Sequence, residues 1–254
     1  MVGIMSLHFD NATLGYVNRV AIKNFSAKLK TGSLVAITGD NGAGKSTLLK
    51  AIAGLIKPIR GKITKPKKSR IAYLAQQCDI DRTFPIDVRA LIKTGLWSFC
   101  GLWKNQRPYY SKIQNALEMV GLTALATRSL DTLSSGQLQR ALFARIIVQD
   151  ADIILLDEPF NGVDRNTQKD LLALITHWQQ QGRTILTALH DPLIVQKHFP
   201  QIIQIDKQNA FYGKTTQFFN ETIHPVTRPL TTNSFRTSAL NQYFSINDSR
   251  SIWL

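Results

Sequence analysis

The chain has 254 residues, of which 44% are apolar and 19% charged, and carries a formal net charge of +14. This balance is that of a folded chain with a sizeable core, not a disordered one, and no apolar run approaches the roughly 18 residues of a membrane-spanning helix. Cys78 and Cys100 are too few for a disulfide framework and lack metal-ligand spacing, which fits a reducing, cytoplasmic setting. The start, Met1–His8, lacks the pattern of a secretory signal, and Val2 stands where myristoylation needs glycine.

From Ser6 to Leu34, short apolar runs alternate with turns, which predicts strands. Tyr16 lies in this segment and is either a stacking surface for a nucleobase or an ordinary strand aromatic. The apolar run Leu34-Val35-Ala36-Ile37 then leads into Gly39-Asp40-Asn41-Gly42-Ala43-Gly44-Lys45-Ser46 and the helix-prone stretch Thr47–Ala53. A turn that wraps a polyphosphate must point successive N–H groups inward, and closely spaced glycines allow that because they lack a Cβ. The helix that follows aims its positive end at the same anion. Gly39, Asn41, Gly42, Ala43, Gly44, Lys45, Ser46 and Thr47 are therefore nucleotide-binding candidates. Lys45 would reach the β and γ phosphates, and the Ser46 hydroxyl would ligate Mg²⁺.

Lys57, Arg60, Lys62, Lys65, Lys67, Lys68 and Arg70 carry much of the positive excess, and a solvated hairpin is favoured over a dedicated binding patch. Arg70–Leu74 reads as a buried strand. Gln76, just beyond it, lies where ligands bind in an α/β sheet and can ligate a metal or orient water. From Asp81 to Ser129 helical patterns replace strand signals, in Ile86–Leu96 and Ser111–Val120. The aromatic run Leu96–Trp103 between them is an interaction surface or the packing of a small helical unit.

Strand texture resumes at Ile153–Leu156 and ends in Asp157-Glu158. Beside a phosphate loop, such a pair can supply one carboxylate for Mg²⁺ and one to polarise an attacking water. A helix from about residue 166 to 181 leads to the strand Thr184–Leu189, closed by His190 on the expected ligand edge, whereas His177 and His198 read as surface residues. Ile202–Ile205 is the last apolar strand, Phe211–Lys214 a hairpin return, and the chain beyond Pro225 a loosely packed tail. There is one phosphate loop and no internal repeat, so each chain supplies components of one nucleotide site.

Leu133-Ser134-Ser135-Gly136-Gln137-Leu138-Gln139-Arg140 resembles the signature of ATP-binding-cassette (ABC) ATPases. The resemblance spans about residues 6–215 and implies roles for the other motifs. Tyr16 is similar to the adenine-stacking aromatic, Gln76 to the Q-loop glutamine, Asp157-Glu158 to the Walker B acids, Asn161–Asp164 to the D-loop, and His190 to the switch histidine. Ser135-Gly136 departs from the usual paired glycines but keeps the glycine nearest Gln137. Gly162-Val163 before Asp164, and Phe84–Val88, resemble the branch that energises transition-metal uptake.

The expected fold is α/β, a P-loop NTPase core of ABC ATPase type with an N-terminal antiparallel β part and a helical insertion. One domain would cover residues 1–225, with a helical subdomain at about 81–149 and a tail at 226–254. The resemblance implies a head-to-tail dimer in which Ser134, Ser135, Gly136 and Gln137 of one copy, with Asp164, complete the ATP site of the other. Lys45, Gln76, Glu158 and His190 would be catalytic, and Ser46, Gln76 and Asp157 would hold Mg²⁺. The expected function is the ATPase subunit of a zinc, manganese or iron importer, peripheral on the cytoplasmic face of the inner membrane. It would dock a transmembrane permease through residues 76–103 and act with a periplasmic or surface solute-binding protein, with no nucleic acid partner. The alternatives are an importer of a siderophore or other solute, a soluble cassette acting on nucleic acid or ribosomes, and a small-molecule kinase.

Overall fold

The computed structural model describes residues 6–16, 19–76, 81–97 and 107–223. Most of the aromatic run at 96–103, both cysteines and the expected tail at 226–254 lie outside them.

The described residues form two sheets. β1 (Ser6–Tyr16) and β2 (Arg19–Lys30) pair antiparallel, and β4 (Arg60–Thr64) pairs antiparallel with the other edge of β1, giving the order β2-β1-β4. The basic segment is therefore not a hairpin of its own. β4 belongs to the small sheet, whereas the next strand, β5 (Ile71–Leu74), joins the larger one. The basic side chains diverge accordingly. Lys65 donates to the Ile52 carbonyl at the end of the phosphate-loop helix at 3.0 Å, and Arg70 pairs with Asp150 at 3.2 Å.

The larger sheet has the order β5-β6-β7-β3-β8-β9, with β3 (Leu34–Thr38), β6 (Ile153–Asp157), β7 (Thr184–Ala188) and β8 (Gln201–Asp206). Its strands run parallel except β9 (Asn209–Lys214), which returns antiparallel to β8 as the hairpin pattern predicts. β3, β6 and β7 are almost continuously buried because both sheet faces are covered. Successive side chains alternate between two cores. Val35, Ile37, Ile153 and Leu155 pack with α1 (Lys45–Ala53) and the small sheet, where Phe9 and Phe25 meet at 4.9 Å. Ala36, Ile154 and Leu156 face the other core, formed with α2 (Val88–Thr94), α3 (Tyr110–Met119), α4 (Ser135–Gln149), α5 (Arg165–Gln180) and α6 (Pro192–His198). A last helix, α7 (Thr215–Ile223), packs beside α6 and β9.

The described residues of the segment 81–129 form helices and turns as expected, with an isolated bridge between Asp87 and Ser129. Asp87 also caps α2 by accepting from the Ala90 N–H at 2.6 Å. Parallel pairing brings the carboxyl ends of β3, β5, β6 and β7 to one edge of the sheet, and the residues that follow them form the site.

Candidate functional site

The phosphate loop leaves β3 at Gly39, whose φ of 147° and tight packing leave no room for a side chain; an added Cβ would lie 2.4 Å from the Ile205 carbonyl oxygen. At the other end, Gly44 caps α1 in the left-handed region without a side-chain bond, leaving the first N–H groups of α1 for a ligand. Asn41 and Gly42 are exposed, and Ala43, Ser46 and Thr47 are half-buried along the turn. Lys45 is only 5% exposed, and its Nζ donates to the carbonyls of Gly39 at 2.8 Å and Asp40 at 3.1 Å. Burial depresses the Lys45 pKa, against the pull of Glu158, Asp157 and Asp40. The loop is thus folded onto an ammonium for which a phosphate would be a stronger partner than two neutral carbonyls.

Asp157 ends β6 and is 2% exposed. The Tyr73 hydroxyl, on neighbouring β5, donates to its Oδ2 at 3.1 Å, whereas Oδ1 is buried without a hydrogen-bond partner. Burial pushes the Asp157 carboxyl up, and the Ser46 and Tyr73 hydroxyls pull it only part of the way back. A buried carboxylate oxygen with a spare lone pair beside a serine hydroxyl is a donor set that fits Mg²⁺. Gln76 lies two residues past β5 at the same sheet edge, half-buried.

Glu158 adopts a left-handed backbone with φ of 50°, and its N–H donates to the Ala188 carbonyl of β7 at 3.2 Å. Such a conformation in a residue other than glycine costs about 1–3 kcal/mol and persists where the surroundings impose it. The turn sets the carboxylate between two partners: Asn161 Nδ2 donates to Oε2 at 2.5 Å, and His190 Nε2 contacts Oε1. His190 follows β7, and Asp191 next to it caps α6. A carboxylate held in this way can take a proton from water, and the imidazole beside it can orient a phosphate oxygen.

The segment Ser134–Gln137 opens α4 with a reciprocal cap: Gln137 N–H donates to Ser134 Oγ at 3.1 Å, and Ser134 N–H donates to Gln137 Oε1 at 3.0 Å. Gln137 therefore commits both its side chain and its N–H to the cap. The point where Gly136 would carry a Cβ lies 3.6 Å from Asp164 Oδ2 and 3.5 Å from Thr167 Oγ1. Asp164 caps α5 through the N–H groups of Asn166 and Thr167, and Arg140 ties the two helices by donating to Thr167 and Asp170 at 3.2 and 3.1 Å. Ser135 receives a 3.4 Å hydrogen bond from Arg82.

The structure thus gathers Lys45, Ser46, Asp157, Glu158 and His190 at one edge and assembles Ser134, Gly136 and Asp164 as a second, separately braced cluster. Tyr16 stands 51% exposed at the end of β1. Sequence reasoning missed Tyr73 as the Asp157 partner and Asn161 as the Glu158 partner. A tyrosine in a buried strand, whose hydroxyl must be satisfied, was the available signal for the first. His177 is exposed and His198 partly so, and the His198 pKa is depressed by burial and by Lys197.

The ABC transporter family profile matches residues 22–161. The chain is 37% identical over 224 residues to the manganese transport system ATP-binding protein MntB of Listeria innocua, covering 85% of this chain and 92% of that protein. It is 32% identical to the zinc transport system ATP-binding protein TroB of Treponema pallidum, over 85% of this chain and 84% of that protein. Among solved structures, an inward-facing metal-chelate-type ABC transporter superposes with a TM-score of 0.76 at 31% identity, over 84% of each chain. With a family match across its phosphate loop and acid-ended strand, and relatives of this similarity along most of its length, the chain belongs to the ABC transporter family as an ATP-binding cassette.

Proposed function

We propose that this chain is the ATP-hydrolysing subunit of a membrane importer for a transition-metal ion, of the manganese, zinc or iron kind. The observation that carries the reading is Glu158, turned by a left-handed backbone into the grip of His190 and Asn161 beside the buried Lys45 and Asp157. The manganese and zinc transport systems to which MntB and TroB belong support the solute class.

In this reading the phosphate-loop amides and Lys45 offset the triphosphate charge, and Tyr16 stacks on the adenine. Ser46, Gln76 and Asp157 would hold Mg²⁺, which when bound neutralises phosphate oxygens. Glu158 accepts a proton from the attacking water, oriented by Asn161, and His190 positions the γ-phosphate. Ser134, Ser135, Gly136 and Gln137 face the γ-phosphate of a second copy, with Asp164 fixing Gly136 at that interface. ATP joins the two copies, and hydrolysis releases them.

One cassette domain covers residues 1–225, with helices inserted at about 81–149 and a tail from 226. No helix among the described residues is long and apolar enough to cross a membrane. In this reading the chain sits on the cytoplasmic face of the membrane through a permease, docking by residues 76–103, where Phe84 and Trp97 are exposed. A solute-binding protein acts through that permease.

The test is reconstitution with the permease in proteoliposomes. ATP-dependent uptake of manganese or zinc, lost with Lys45→Ala, is the expected result. Uptake unaffected by Lys45→Ala, or salt-dependent recovery of the chain with ribosomes and not with a membrane protein, would overturn the proposal.

A further inference from the structure

The start of β2 carries a cationic group that none of the recognised motifs includes. The β1–β2 ladder carries a bulge at Ala21, between the pairs Gly15–Val20 and Leu14–Ile22, and distances to the phosphate loop show where Arg19 and Ala21 stand. Arg19 Nη2 lies 3.7 Å from the position a Cβ on Gly42 would occupy, and Ala21 Cβ lies 3.0 Å from the corresponding point on Gly44. Arg19 is exposed, and no ion pair among the described residues occupies its guanidinium. It is also the direct cross-strand partner of Tyr16.

From these positions we infer that Arg19 is a phosphate-binding residue of the nucleotide site, reaching the polyphosphate from the small sheet beside Gly42. The inference rests on the reading of Gly39–Ser46 as the nucleotide loop. A nucleoside di- or triphosphate with its base on Tyr16 and its distal phosphates in the loop must pass the Tyr16–Arg19 pair, because these residues close the strand pair beside Gly42. A planar guanidinium with several fixed donors suits two phosphate oxygens at once. Among the described residues the group has no ion-pair partner, so binding need not first break such a pair. Arg19 would bind ligands that carry the phosphate chain and be indifferent to the nucleoside alone.

The experiment uses the full chain and measures competition by ATP, ADP and adenosine against a fluorescent ADP analogue, for wild type, Arg19→Gln, Arg19→Lys and Lys45→Ala. Arg19→Gln should weaken ATP and ADP about tenfold or more and leave adenosine unchanged, with Arg19→Lys intermediate. Arg19→Gln should also show a shallower decline of ATP affinity with added salt, whereas Arg19→Lys, which keeps the charge, should not. Unchanged ATP and ADP binding in Arg19→Gln, alongside loss in Lys45→Ala, would overturn the inference and leave the nucleotide site standing. Equal losses for ATP and adenosine would also overturn it, assigning Arg19 to the support of Tyr16. No effect of Lys45→Ala would instead remove the site reading itself, and the inference with it. Should Arg19→Gln fail to fold, Arg19→Lys decides alone: a loss confined to ATP and ADP sustains the inference, and any other pattern refutes it.

Discussion

Replacing Tyr73 by phenylalanine removes one oxygen from the deepest charged point of the site. That hydroxyl donates to Asp157 Oδ2 at 3.1 Å, while Oδ1 has no hydrogen-bond partner and the residue is 2% exposed. A hydrogen bond to a charged group contributes about 1.5–3 kcal/mol, and the lower end applies here because Ser46 continues to favour the carboxylate and phenylalanine packs as well as tyrosine. A loss of about 1.5 kcal/mol corresponds to a Tm lower by about 3–6 °C for a chain of this size. The pH dependence gives the sharper check. Burial already raises the folded-state pKa of Asp157 above its ordinary value, and Tyr73→Phe raises it further. The penalty is therefore full where the carboxylate is ionised and fades as pH falls through the folded pKa of Asp157. Calorimetry of the nucleotide-free chain at neutral and acidic pH reads both quantities. In an Asp157→Asn background, where only a neutral acceptor remains, the same substitution should cost about 0.5–1 kcal/mol. Equal stability of Tyr73→Phe and wild type at neutral pH, or a deficit of the same size at every pH, would refute the reasoning.

Two further perturbations probe the loop and the carboxylate. Glu158→Gln keeps an oxygen for Asn161 and places an amide nitrogen toward His190, so ATP binding and thermal stability should persist while turnover falls about 10²–10⁴-fold in a steady-state phosphate-release assay; an undiminished rate would remove Glu158 from the base role. Gly39→Ala forces a Cβ to 2.4 Å from the Ile205 carbonyl oxygen at a φ of 147°, and because the obstacle is backbone, urea unfolding should show a loss of roughly 2 kcal/mol or more together with weaker nucleotide binding; a fully stable variant would contradict the packing described for the loop.

Local pattern made much of this fold legible. Glycine spacing before a helix marks a phosphate loop because backbone freedom and helix polarity act within a few residues, and the apolar runs ending in Asp157-Glu158 and at His190 mark buried parallel strands for the same local reason. The motif order carried the family, which the comparisons bear out. Partnerships between distant segments were not legible. The basic stretch 57–70 reads as one hairpin, yet Arg60–Thr64 and Ile71–Leu74 enter different sheets, because strand pairing is decided by which apolar face finds a cover and not by proximity in the chain.

The same holds at the site. Composition and spacing alone determined that this chain has a phosphate loop, an acid pair and a histidine at strand ends, since each is a property of a short segment. Only the tertiary structure decided that Tyr73 satisfies Asp157, that Asn161 and His190 hold Glu158, that Asp164 braces the glycine of the signature helix, and that Arg19 stands over Gly42. Hydrogen bonds and charges act over a few ångströms in space, and the chain brings such groups together only once both sheets and the helices between them have closed.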